Sequence, residues 1–179
     1  MLEKDTAKKN LLILSDIRGI SKATYLQGFF DILQAQYSIE ILDTPALGGV
    51  KIDGKEQSQI HTDMLATGVD CAVKKLLVRQ SVTGILAFSI GGWVAWRAML
   101  QALKVDKLVA VSATRLRYEE RWPEQGSIHL MYGGADPYRP KQYWPTAKNI
   151  TTEVLTGQPH TLYENGAFAE KLTKPFLVD

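Results

Sequence analysis

With 179 residues, 45% of them hydrophobic and 22% charged, the chain fits one globular domain, 1–179, with a sizeable core. Its 21 basic and 19 acidic residues are dispersed, and a formal net charge of +2 leaves no footprint for nucleic acid or an anionic membrane surface. The single cysteine, Cys71, rules out an internal disulfide, no apolar run reaches the ~18 residues of a membrane span, and MLEKDTAKKN is unlike a signal peptide, so a soluble cytoplasmic protein is expected.

In chain order, the first apolar run is LLILSDI (11–17), short and β-like. SKATYLQGFFDILQAQY follows, with Tyr25, Leu26, Phe29, Phe30, Ile32 and Leu33 on one broad helical stripe and Ser21 as the expected N-cap. A second run, IEILDTP (39–45), precedes a long amphipathic segment with inward Ile60, Met64, Val69, Ala72, Val73, Leu76 and Leu77. There Cys71 reads as a small buried hydrophobe. VTGILAFS (82–89), a tryptophan-rich helix and DKLVAVSA (106–113) come next, and then the polar connection TRLRYEERWPEQG, too short for a lid. SIHLMYGGA (127–135) and NITTEVLTG (149–157) complete the strands, separated by a Pro- and Tyr-rich stretch with room for one short helix. A terminal helix in YENGAFAEKLTKPFLV is expected to stop at Pro175. Strands this apolar, alternating with helices, predict a single doubly wound α/β domain, a mostly parallel sheet of about six strands flanked by helices on both faces.

In such a sheet ligands bind at the carboxyl ends of the strands. Ser89 in AFSIGGW closes the third strand and opens a helix, which is the station of a nucleophile elbow with Ala87 and Gly91 as the small residues two before and two after. Equally, a lone serine there suits an ordinary strand-to-helix turn. A hydroxyl nucleophile needs a base, and the base needs an orienting carboxylate. Asp136 in YGGADPY follows the fifth run and His160 in QPHTLYENG follows the sixth, so the order is Ser, acid, His, each beyond a later strand. Of the other histidines, His61 falls on a helix far from any strand's carboxyl end, and His129 falls within a strand. The Ile90 N–H at the helix start and the Ile17 N–H in SDIRGIS are the expected oxyanion donors. Asp16 and Arg18 beside Ile17 either tune that site or pair with each other. Arg115 and Arg117 follow the fourth strand, either holding an acidic substrate group or pairing with Glu119 and Glu120. Tyr118, Trp122, Tyr138, Tyr143, Trp144 and the helix tryptophans Trp93 and Trp96 read as core or rim. No metal-ligand spacing and no glycine-rich phosphate loop are present, so neither metal nor cofactor is expected.

With these residues placed, SDIRGIS, AFSIGGWVAW, SATRLR, YGGADPY and QPHTLYENG together resemble the α/β-hydrolase superfamily, most closely its small lidless dienelactone-hydrolase-like members. The resemblance implies a minimal hydrolase fold, a Ser89–His160–Asp136 triad, arginines that hold acidic substrates, and hydrolysis of a small-molecule ester or lactone. Two departures stand out: dienelactone hydrolases use a cysteine where this chain has Ser89, and Ala87 replaces the usual glycine. The alternative expectation is a binding protein that keeps the fold without catalysis.

Overall fold

The computed structural model describes residues 8–141 and 147–178. Six strands, β1 (Lys9–Leu14), β2 (Tyr37–Leu42), β3 (Gly84–Phe88), β4 (Lys107–Val111), β5 (Ser127–Gly133) and β6 (Ile150–Leu155), form one sheet in the order β2-β1-β3-β4-β5-β6. Every pair is parallel. Alternating side chains feed two cores, as a sheet covered on both faces requires. Leu12, Leu14, Ile85, Ala87, Leu108 and Ala110 face one, whereas Leu11, Ile13, Leu86, Phe88, Val109 and Val111 face the other.

The first core is closed by α3 (Gln57–Asp63), α4 (Val69–Leu77) and α5 (Ile90–Leu100), and the second by α1 (Leu26–Leu33) and α6 (Ala169–Leu177). A further short helix, α2 (Thr44–Leu47), follows β2 and is capped by Asp43, whose Oδ1 accepts from the Ala46 N–H at 2.9 Å. Between β4 and β5 the chain makes only a 3₁₀ turn, Thr114–Tyr118, and no lid. Among the described residues, no helix is long and apolar enough to cross a membrane.

Four local expectations change. Ser21 does not cap α1: it lies in a 3₁₀ turn, Ile20–Lys22, because Asp43 Oδ2 takes the Ile20 N–H at 2.8 Å and two successive turns delay the helix to Leu26. The long amphipathic segment is split by a π turn at Met64–Gly68. From Met64 to Val69 is a five-residue step, and the wider turn keeps both on the buried face. Cys71 is exposed, since Ala72 and Val73 occupy the inward positions beside it. Pro175 lies inside α6, two residues before its end; it offers no N–H to the Lys171 carbonyl, and buried Phe176, packed on Tyr37, holds the last turn in place. The expected helix between β5 and β6, with Tyr143 and Trp144, falls partly outside the described residues.

Leaving β1, the chain goes first to β2 on one side and then to β3 on the other. That switch opens a crevice at the carboxyl ends of β1 and β3. Close packing of α5 fixes its position. A Cβ on Gly91 would lie 2.7 Å from the Ser15 carbonyl oxygen, and one on Gly92 would lie 2.7 Å from the Ala113 Cβ, so only glycines let the helix start seat against the ends of β1 and β4.

Candidate active site

Ser89 sits between β3 and α5 with φ of 51°, a left-handed conformation that a serine adopts only when its surroundings enforce it. The enforcing contacts are main-chain: the Ser89 N–H donates to the Val111 carbonyl at 2.8 Å, and the Gly92 N–H donates to the Ser89 carbonyl at 3.1 Å. Ala87 is fully buried, so the position where glycine is usual tolerates a methyl group. The turn lifts the hydroxyl out of the sheet, and Ser89 Oγ lies 3.1 Å from His160 Nε2.

On the other side of the ring, His160 Nδ1 is 2.6 Å from Asp136 Oδ2, in a carboxylate with no exposed side-chain surface. Asp136 Oδ1 accepts from the Tyr138 N–H at 2.9 Å, which orients the carboxylate toward the ring. With Nδ1–H directed at Asp136, Nε2 is left to accept from the serine hydroxyl. The structure therefore brings together Ser89, Asp136 and His160 from the ends of β3, β5 and β6.

Two further groups hold the histidine loop. Ser112, fully buried and at φ 53°, donates from Oγ to the His160 carbonyl at 2.6 Å. Gly133 lies beneath the same loop, where any Cβ would run into the Gln158 and Pro159 carbonyls. Sequence reasoning missed both; the one available signal was that SA after β4 repeats the small-residue strand ending of FSIG.

Asp16 and Arg18 pair with each other. Arg18 Nε and Nη2 reach Asp16 Oδ2 at 3.0 and 2.5 Å, and Nη2 also reaches Glu164 Oε1 at 2.6 Å. Burial alone would lower the Arg18 guanidinium, but the two carboxylates reverse this and raise it above its ordinary value. The Tyr163 hydroxyl donates to Asp16 Oδ2 at 3.1 Å, and the Asp16 N–H donates to the Tyr25 hydroxyl at 3.3 Å. Burial, reinforced by the Asp16 charge, raises both phenols well above their ordinary range, so both keep their protons. Ile17 and Ile90 occupy the loop after β1 and the first turn of α5.

Arg115 and Arg117 do not pair with Glu119 or Glu120, because aromatic faces take the place of carboxylates. The Arg115 guanidinium lies 4.9 Å from the ring centres of both Trp93 and Tyr118, and Arg117 lies 4.3 Å from Tyr118 and 5.6 Å from Tyr138. Glu119 instead accepts from Trp93 Nε1 at 2.6 Å. Arg117 donates to the Thr114 and Tyr138 carbonyls and to the Tyr118 hydroxyl, whereas the buried Arg115 Nε has no partner. Burial and the neighbouring Arg117 lower the Arg115 guanidinium. His61 is closer to this region than its helix suggested: burial lowers its pKa, and Arg115 and Arg117 lower it further. His129 is held apart by Ser127 and Thr151. Among the described residues no cluster of His, Cys, Asp or Glu is arranged to hold a metal ion.

No family model and no curated protein matches this sequence. Solved structures do match. A protein of Xanthomonas campestris pv. campestris assigned to the α/β hydrolase superfamily aligns with a TM-score of 0.65 over 96% of each chain at 14% identity. The chain has the α/β-hydrolase fold. A lidless α/β serine hydrolase of Xanthomonas campestris aligns at a TM-score of 0.56 and 16% identity, over 97% of this chain and 85% of its own. Dienelactone hydrolase from Anabaena variabilis aligns at 0.62 and 16%, over 97% and 87%. This hydrolase-fold chain thus spans 85–96% of these three structural neighbours.

Proposed function

We propose that the protein is a serine hydrolase acting on a carboxylic ester or lactone of a small molecule. The observation that carries this reading is the continuous chain from Asp136 through His160 to a strained Ser89, with contacts of 2.6 and 3.1 Å. Ser89 Oγ attacks the carbonyl carbon while His160 Nε2 takes its proton, and Asp136 holds the imidazolium that results. The Ile17 and Ile90 N–H groups receive the negative charge on the carbonyl oxygen, each contributing about 3 kcal/mol to the barrier reduction by analogy with other oxyanion donors. His160 then protonates the leaving alcohol, and a water molecule attacking by the same route frees Ser89. Arg115 and Arg117 receive an acidic part of the substrate, a role supported by guanidinium charges that lie against Trp93, Tyr118 and Tyr138 rather than against Glu119 or Glu120.

Treatment with a neutral fluorophosphonate, with the adduct located by mass spectrometry, tests the reading. The expected result is one adduct on Ser89 that is lost in Ser89→Ala and in His160→Ala. A folded protein that takes up no label is a binding protein with this fold.

A further inference from the structure

The two groups that must converge on a reacting carbonyl hang from distant parts of the sheet. Ile17 follows β1, whereas His160 follows β6, and four strand spacings of ~4.8 Å, about 19 Å in all, separate those strands. Strand pairing sets where each loop begins. It does not set how far each loop leans toward Ser89.

A buried polar cluster joins the two loops directly. Asp16, 1% exposed, accepts from Arg18 twice through the guanidinium and once, at 2.9 Å, through the Arg18 N–H, and it accepts from Tyr163 at 3.1 Å. Arg18 continues to Glu164. Tyr163 and Glu164 stand three and four residues beyond His160, and the Tyr163 ring packs 5.1 Å from Phe88, the residue before Ser89, and 6.4 Å from the His160 ring. The Asp16 carbonyl is taken by the Gly19 N–H at 3.2 Å and its N–H by Tyr25. The polar groups on either side of Ile17 are thereby engaged, and none of these bonds uses the Ile17 N–H.

We propose that Asp16, Arg18 and Tyr163 form a clamp that positions the Ile17 N–H relative to His160. It rests on the hydrolytic reading above and adds three positioning residues to it, none of which touches the reacting atoms. Because the oxyanion exists only near the transition state, loosening its donor reduces turnover and leaves ground-state binding unchanged.

The test uses the neutral fluorophosphonate and p-nitrophenyl acetate on the full chain. Arg18→Met is expected to slow labelling of Ser89 and to lower kcat by about 10- to 100-fold with KM within about twofold. Arg18→Lys should restore part of the loss, since a lysine keeps one charged contact to Asp16. Tyr163→Phe, which removes one hydroxyl and keeps the ring packing, should lower kcat by a smaller factor, and the double variant should be no slower than Arg18→Met alone. Two results overturn the clamp: labelling and kcat unchanged in both single variants, or an effect confined to KM, which makes Arg18 a substrate contact. Hydrolysis that persists in Ser89→Ala overturns the hydrolytic reading itself, whatever Arg18 does.

Discussion

Two assemblies of arginines and aromatic rings hang from the loops around Ser89, and they use the same residue types to opposite ends. In the first, Arg18 is neutralised by Asp16 and Glu164, and Asp16 is bonded in turn to the hydroxyls of Tyr25 and Tyr163, whose rings meet edge to face 4.9 Å apart. In the second, Arg115 and Arg117 lie between Trp93, Tyr118 and Tyr138, and the two tyrosines are 62% and 63% exposed. A ring face attracts a guanidinium without cancelling its charge, although Arg117 also donates to the Thr114 and Tyr138 carbonyls and the Tyr118 hydroxyl. The difference teaches that an arginine's partner decides what becomes of its charge: carboxylates neutralise it, whereas rings leave it uncompensated.

The largest expected effect is in the closed assembly. Asp16→Ala removes the carboxylate, strips Arg18 of its bidentate partner and leaves the buried Tyr163 hydroxyl unpaired, at a cost of about 3 kcal/mol, which calorimetry should read as a Tm lower by about 6–12 °C. In the open assembly, Arg115→Gln should change stability by less than about 1 kcal/mol. It should raise KM for a carboxylate-bearing ester about tenfold relative to a neutral one, equivalent to about 1.4 kcal/mol. Equal Tm losses in the two variants would break the contrast.

Between the two lies Ser112. Ser112→Ala should cost about 1 kcal/mol, seen in denaturant unfolding, because the His160 carbonyl loses its donor. The smallest effect sharpens the view of the second region as uncompensated charge. His61 titrates below 6.5 in the folded protein, so the unfolded chain binds more protons there, and this residue's contribution to stability falls as the pH drops below 6.5 toward the native value. An NMR titration of His61 should therefore move upward in Arg115→Gln.

Much of this architecture was legible from local pattern. Six apolar runs became six strands, and Ser89, Asp136 and His160 could be picked out because each follows a run in the order a hydroxyl nucleophile and its base require. What local pattern could not carry was any feature set by partners far along the chain. Asp16 and Tyr163 are separated by 147 positions, so the clamp has no sequence signature, and Arg18 looked as free to tune the site as to pair. Ser21 resembled a cap until Asp43, from beyond β2, took the backbone group at issue. Cys71 was judged by residue type and its apolar neighbours in sequence, and Pro175 by residue type alone. The phase of a helix that changes pitch at Met64–Gly68 put the first outside, and the packing of Phe176 carried α6 past the second.

The order of the three residues along the chain has a consequence for synthesis. Ser89 leaves the ribosome 71 residues before His160, which at ~5–20 residues per second is a wait of roughly 4–14 s. During that interval β1, β3 and β4 can pair and hold the serine in its left-handed turn, but His160 is not yet beside its hydroxyl. On the hydrolytic reading proposed above, the contact between Ser89 and His160 that would activate the hydroxyl is completed only once β6, at the edge of the sheet, has brought His160 into place.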